Sequence, residues 1–300
     1  MKSYLKLMRI HHYLKNILIF LPLIFSGLLL TGESLIRCIL GFILFSMATS
    51  IVYIINDIKD VENDRKHVIK CNRPIASGEV SIQSAWTLVL ILLLSLVAII
   101  YFLFGELSVA WFYIGIYVAV NLAYSFGLKN KPIVDIAILA SGFLLRVLYG
   151  SALINVKISY WLYLSVIAVS FYLSLGKRRN EILGQGNNAR PVLKYYNHNF
   201  LDKNMYVSLA LAIVFYSLWC VDPNTIARYS NAHIVWTVPM VMLICMKYSL
   251  VIEGASIGDP VEVLLCDKIL MVLVIIYSLI TFLIIYQKPI SIVISNCFNI

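Results

Sequence analysis

Apolar residues run in long blocks along this chain, separated by short polar stretches. An α-helix needs roughly 20 apolar residues to cross the hydrocarbon core of a bilayer. Nine blocks of about that length can be marked, near 15–31, 35–56, 82–104, 108–126, 133–154, 158–176, 204–221, 233–252 and 268–287. A backbone in lipid must satisfy its own polar groups, so such blocks predict helices. The pattern therefore predicts an all-α integral membrane protein, a bundle of nine transmembrane helices forming one polytopic domain over residues 1–300. Lys2, Lys6 and Arg9 before the first block resemble the start of a signal peptide. No small-x-small cleavage pattern follows, so this segment is expected to stay as the first helix.

Composition agrees: 61% of residues are hydrophobic and only 13% charged. The net charge of +9 does not point to nucleic acid, because basic residues in a membrane protein first report topology. An N-terminus inside gathers Lys2, Lys6, Arg9 and Lys15, then Lys59, Arg65, Lys66, Lys70 and Arg73. The same side gathers Lys129, Lys131, Lys177, Arg178, Arg179, Arg190, Lys194 and Lys203. Arg37, Lys157, Arg228 and Lys288 are left outside. The bias predicts a multi-pass protein of the cell (inner) membrane, with its N-terminus and its two long inner loops, 57–81 and 177–203, in the cytoplasm. The C-terminus is then outside. The six cysteines show no CxxC pair and read as small core residues.

The second block ends in N-D-I-K-D-V-E-N-D-R, residues 56–65. If the helix continues, Asp57, Asp60 and Asp64 fall at i, i+3 and i+7 and share one face, with Asn56 beside it. Such oxygens at an open helix end suit Mg²⁺, which takes its other ligands from water and substrate phosphates. The plainer alternative is a solvated helix end whose acids pair with Arg65, Lys66 and Lys70. Lys70 and Arg73 follow closely, and Pro74 and Gly78 shape a turn. Acids for a metal beside bases for phosphate are what a magnesium–diphosphate site requires.

N-D-x-x-D-x-x-x-D followed by H-x-x-K-x-x-R-P-I-A-x-G, residues 56–78, resembles the UbiA superfamily of intramembrane prenyltransferases. Val68 departs from the proline common after the histidine. The resemblance implies a nine-helix fold and a prenyl diphosphate bound through Mg²⁺ at the cytoplasmic helix ends. Members typically carry a second D-x-x-x-D after the sixth helix; none occurs between residues 177 and 267. G-K-R-R-N-E, residues 176–181, stands there instead, offering Lys177, Arg178 and Arg179 with Glu181 one turn on. These cations either bind phosphate directly or serve only as a positive-inside anchor.

Within the superfamily, the decaprenyl-phosphate phosphoribosyltransferases are similar at several further points. These are R-I-H-H-Y-L-K-N (9–16, with Tyr13 for tryptophan), Y-S-F-G-L-K (124–129), D-I-A-I-L-A-S-G-F-L-L-R (135–146) and G-D-P-V-E-V-L-L-C-D-K (258–268). On the fifth helix Asp135, Gly142 and Arg146 share a stripe, with Arg146 about 16 Å along the axis from Asp135. An arginine there costs at least about 2.5–3.5 kcal/mol. It either faces a cavity and holds an anionic head group, or pairs with a buried acid or carbonyl. His11 and His12 read as interfacial residues.

This branch implies transfer of a 5-phosphoribosyl group from phosphoribosyl diphosphate to a polyprenyl (decaprenyl-like) phosphate, with Mg²⁺ as cofactor and diphosphate released. Carried onto this sequence, Asn56, Asp57, Asp60 and Asp64 would hold magnesium, and Asp57, Asp60 and Lys177 would be catalytic. Lys70, Arg73 and Lys129 would grip phosphates near the first motif, and Lys177, Arg178 and Glu181 would line the opposite side. Lys15 and Arg146 are candidates for the acceptor phosphate, and Tyr124 for substrate contact. Membrane lipids surround the whole, the isoprenoid lying in an apolar groove open to them; a homo-oligomer is compatible. A conventional prenyltransferase alkylating an aromatic or other small acceptor competes, as does a carrier of anionic lipids or metabolites. The missing D-x-x-x-D weighs against the first, and charge gathered at one membrane face against the second.

Overall fold

A computed structural model describes residues 2–68, 70–104, 109–184, 191–229, 233–254 and 259–287. Arg190, Gly258, Lys288 and Cys297 lie outside the described residues. Among the described residues there is no strand. A short α1 (Lys2–Met8) leads into α2 (Ile10–Phe25), and then into α3 (Gly32–Lys59) and the one-turn α4 (Val61–Arg65). The helices α5 (Ile82–Phe104), α6 (Val109–Ser125), α7 (Val134–Leu153) and α8 (Tyr160–Gly184) follow. The chain continues through α9 (His198–Val221), α10 (Pro223–Tyr229), α11 (His233–Glu253), α12 (Pro260–Cys266) and α13 (Lys268–Ile285).

Six of these, α3, α5, α7, α9, α11 and α13, are long and apolar enough to cross a membrane. α2 and α6 are apolar but shorter, and α8 carries charge in its last turns. A count of nine crossings requires these three to span as well. Burial separates inner helices from outer ones. The apolar stretch of α3 is 61% buried, that of α13 only 17%, so α3 is central and α13 turns most of its surface to lipid.

Three boundaries differ from the sequence expectation. The first span begins at Ile10 rather than near 15, is a 3-10 helix to Phe20, and stops by Phe25. Gly27, at φ 80°, adopts the left-handed conformation that commonly ends helices. The second inner loop does not begin at Lys177, because α8 runs on to Gly184. Its cations are neutralised where they stand: Arg178 by Asp135 and Glu181, Arg179 by Asp202. The helix therefore has no need to end where the charges begin. Finally, α3 does not continue unbroken through the acidic stretch. Asp60 sits at φ −89°, ψ 6° and makes a corner before α4.

Two glycines let helices touch. A Cβ on Gly150 of α7 would lie 2.1 Å from the Ile19 carbonyl oxygen of α2, and one on Gly41 of α3 would lie 2.2 Å from Leu153 Cδ1. The first clash is with backbone and cannot be relieved by a rotamer change. Gly150→Ala should therefore push α2 off α7 and destabilise the protein by about 2–3 kcal/mol, read as a lower unfolding temperature in detergent. Gly41→Ala meets side chains only, the Leu153 tip and the Tyr149 hydroxyl at 3.2 Å, and should cost less.

Candidate active site

The ends of α3, α6 and α8, the middle of α7 and the first turns of α2 enclose a cavity of about 210 Å³. Its lining contains six cationic side chains: Arg9, Lys15, Arg73, Arg146, Lys177 and Arg178. Among the described residues lining it, Asp259 is the sole carboxylate. Asn56, Asn121, Tyr124 and Ser125 add polar groups, and Val52, Ile138, Leu139, Phe143 and Leu173 an apolar wall. Like charges converge in a cleft only when an anionic guest or buried acids compensate them.

The acidic motif stands just behind this lining. Asp57 is 2% exposed and its Oδ1 accepts from Arg9 Nη2 (2.5 Å) and Arg73 Nη1 (3.1 Å). The same Arg73 nitrogen donates to Asp64 Oδ2 at 2.6 Å. Asp60, turned by the corner, holds Lys129 with both oxygens at 2.8 Å. Asn56 Oδ1 accepts from the Ser125 hydroxyl at 2.8 Å. Among the described residues no three acidic, histidine or cysteine side chains converge as a metal cage. Mg²⁺ does not need one, since it is commonly bound through one or two carboxylates, with waters and substrate phosphates. Asp57 and Asp64 already converge on one point, and a guanidinium nitrogen stands in for the cation there. The residues thus fit a divalent ion held by Asp57 and Asp64.

The cations across the cavity are of two kinds. Arg178 is fully buried, with Nε on Asp135 Oδ2 (2.6 Å), Nη1 on Glu181 Oε2 (2.5 Å) and Nη2 on the Tyr124 hydroxyl (3.0 Å). Two carboxylates cancel its charge, and Tyr196 donates to Asp135 to close the network. Arg146 differs. It is 5% exposed and bonds the Asn16 amide oxygen (2.7 Å), the Gly142 carbonyl (2.5 Å) and the Tyr117 hydroxyl (3.2 Å). The Phe45 and Tyr117 rings lie 5.2 and 5.0 Å from its Cζ. All of these partners are neutral, so the buried positive charge persists and faces the cavity.

Lys15 and Lys177 meet on Asp259. Oδ2 is 2.6 Å from Lys15 Nζ and 3.7 Å from Lys177 Nζ, and Oδ1 accepts from the Val261 backbone N–H at 3.1 Å. Burial pushes the Asp259 carboxyl up, but the two lysines outweigh it and hold the group below its ordinary range. The depressed value means Asp259 contributes stability above the carboxylate's unfolded pKa, and loses it as pH falls through the folded one.

Residues 20–176 match the model of the UbiA prenyltransferase family. The chain belongs to this family. It is 31% identical over 283 residues to the decaprenyl-phosphate phosphoribosyltransferase of Mycolicibacterium smegmatis, covering 90% of this chain and 88% of that protein. Identity to the Corynebacterium glutamicum protein of the same name is 29%, over 95% of this chain and 87% of that one. A UbiA homolog from Archaeoglobus fulgidus bound to GPP and Mg²⁺ superposes with a TM-score of 0.69 at 18% identity, covering 93% of this chain and 99% of that one. That likeness carries the fold, and with the apolar helices it makes this UbiA-family chain a multi-pass membrane protein.

Of the residues singled out in the sequence, Lys15, Asn56, Arg73, Tyr124, Arg146, Lys177 and Arg178 line the cavity. Asp57, Asp60, Asp64, Lys129 and Glu181 act from behind it through ion pairs, and Lys70 opens a short turn outside the lining. Among the lining residues that the sequence did not assign to the site, four stand out. Arg9 pairs with Asp57, Asp259 bridges two lysines, Tyr117 supports Arg146, and His12 lies in the lining against Tyr53. The G-D-P segment carried a family signal for Asp259, but nothing in its spacing tied it to Lys15, 244 positions away.

Proposed function

We propose that this chain transfers the 5-phosphoribosyl group of phosphoribosyl diphosphate to a polyprenyl phosphate of the decaprenyl type. The observation that carries this is the lining of the cavity. Lys177 faces inward, and the second D-x-x-x-D that the family resemblance leads one to expect after the sixth helix is absent from residues 177–267. An acceptor phosphate oxygen attacks C1 of the ribose, the C1–O bond to diphosphate breaks, and its electron pair leaves with the diphosphate. A phosphate monoester is already ionised near neutral pH, so no strong general base is needed. The work is to hold two anions together and to stabilise the leaving charge.

In this reading Asp57 and Asp64, with Asn56 adjacent, would hold Mg²⁺, which when bound would neutralise charge on the leaving diphosphate. Arg9 and Arg73 then turn from the carboxylates to the phosphates. Asp60 positions Lys129 at the rim, and Lys70 serves phosphates from the neighbouring turn. Lys177 binds the donor from the opposite side. Arg178 and Glu181 act at one remove, fixing the Tyr124 hydroxyl towards substrate. Lys15 and Arg146 receive the acceptor phosphate, and the isoprenoid follows the apolar wall towards lipid. The cation bias supports a cytoplasmic position for this end of the bundle and the N-terminus, with the C-terminus outside.

Sealed vesicles of both orientations test chemistry and sidedness together. Inside-out vesicles given labelled phosphoribosyl diphosphate and decaprenyl phosphate should form a labelled lipid; right-side-out vesicles should not, because the donor cannot cross. If label instead enters an aromatic acid supplied with a prenyl diphosphate, and no ribosylated lipid appears, the enzyme is a conventional prenyltransferase.

A further inference from the structure

We infer that Asp259 recognises the ribose hydroxyls of the donor and so selects a sugar diphosphate over a prenyl diphosphate. The inference rests on the phosphoribosyl activity proposed above. It starts from a mismatch of charge. A cavity lined by six cations is built for phosphates, yet Asp259 is placed among them with its side chain 12% exposed. A carboxylate repels phosphate, so it must face a part of the ligand that is not phosphate. Phosphoribosyl diphosphate has one such polar part. Its vicinal hydroxyls at C2 and C3 lie between the C1 diphosphate and the C5 phosphate, an order of anion, neutral donor, anion. Lys15 and Lys177 both approach Asp259 Oδ2, so the lining sets one acceptor beside two cations, the set that hydroxyls between two phosphates require.

The carboxylate has capacity left for this task. Its two oxygens offer about four lone-pair directions. Oδ1 uses one on the Val261 N–H, and Oδ2 holds Lys15 closely but Lys177 only at 3.7 Å. Carboxylates bind ribose hydroxyls in this manner in dinucleotide-binding folds. A prenyl diphosphate has no hydroxyl to offer and would leave the group facing hydrocarbon or phosphate. The competing role is purely structural: Asp259 caps α12 and ties it to α2 and α8.

The test compares kcat/KM for phosphoribosyl diphosphate with that for its 2-deoxy analogue in wild type, Asp259→Asn and Asp259→Ala. Comparing the ratio between enzymes cancels the intrinsic reactivity of the two donors. A charge-assisted hydrogen bond lost in Asp259→Ala should lower the ribosyl to deoxyribosyl ratio by about 10- to 100-fold. Asp259→Asn, which keeps an oxygen acceptor, should fall between. Equal losses on both donors, with the ratio unchanged, would show a structural role and overturn the inference while leaving the phosphoribosyl activity intact. Wild type that uses only prenyl diphosphate would overturn both. Should the variants fail to fold, competition on wild type decides. Ribose 5-phosphate should inhibit at least about tenfold more strongly than 2-deoxyribose 5-phosphate, and equal inhibition would overturn the inference.

Discussion

Asp57→Ala should reduce turnover by about 10²- to 10³-fold or more, the scale seen when a single preorganised charge-stabilising group is removed from an active site. The carboxylate holds Arg9 and Arg73 at once and converges with Asp64 on a single cation position. Its loss dismantles both the proposed metal point and the placing of two guanidiniums. Breaking a buried ion pair from one side can cost about 3–5 kcal/mol of stability. Here the cost should be smaller, because Arg73 keeps Asp64 and Arg9, 16% exposed, can turn to the cavity. Asp57→Asn keeps the shape and one acceptor oxygen, and separates lost chemistry from lost folding. Activity of the wild type should also vanish with a chelator and return with Mg²⁺. Wild-type turnover from folded Asp57→Asn protein would rule out the proposed role.

Lys177→Ala and Arg178→Ala, one residue apart, should fail in different ways. Lys177 reaches the cavity and holds Asp259 only loosely, so its loss should lower kcat/KM for the donor by at least about tenfold, roughly 1.4 kcal/mol, with little change in stability. Lys177→Asp should be worse, since it sets a second carboxylate beside Asp259. Arg178→Ala removes the guanidinium from which both Asp135, fully buried, and Glu181, 7% exposed, accept. Its principal effect should be a stability loss of about 3–5 kcal/mol, seen as early unfolding. Thermal melts alongside kinetics distinguish the two. A folded Arg178→Ala variant with a purely kinetic defect would return that arginine to the phosphates.

The acidic stretch shows how far sequence carried the site. Its spacing rightly placed Asp57 and Asp64 together, because the corner at Asp60 keeps helical hydrogen bonds on both sides: Asp60 N–H to Asn56 O, and Asp64 N–H to Asp60 O. It did not show that the corner hands Asp60 to Lys129. At G-K-R-R-N-E the pattern showed a cationic cluster but not its division of labour. Three consecutive basic residues point in three directions around a helix, and each meets a different neighbour: Asp259, Asp135 with Glu181, and Asp202. For Arg146 the sequence left a cavity role and a structural pair open. The structure joins the two, with neutral partners that hold the guanidinium without cancelling it.

Sequence alone determined the membrane character, the helical class and the family, because these depend on properties read along the chain. Lipid offers backbone groups no partners, so an apolar block of sufficient length must become a helix whatever its neighbours. A motif keeps its order for the same local reason. What a charge does was decided only by tertiary structure. An arginine beside two buried acids is a brace, and an arginine among neutral groups keeps its charge facing the cavity. One of the two counter-ions of Arg178 comes from 43 positions away, and that of Lys15 from 244. Folding chooses those partners, and electrostatic energy falls off with distance in space rather than along the sequence.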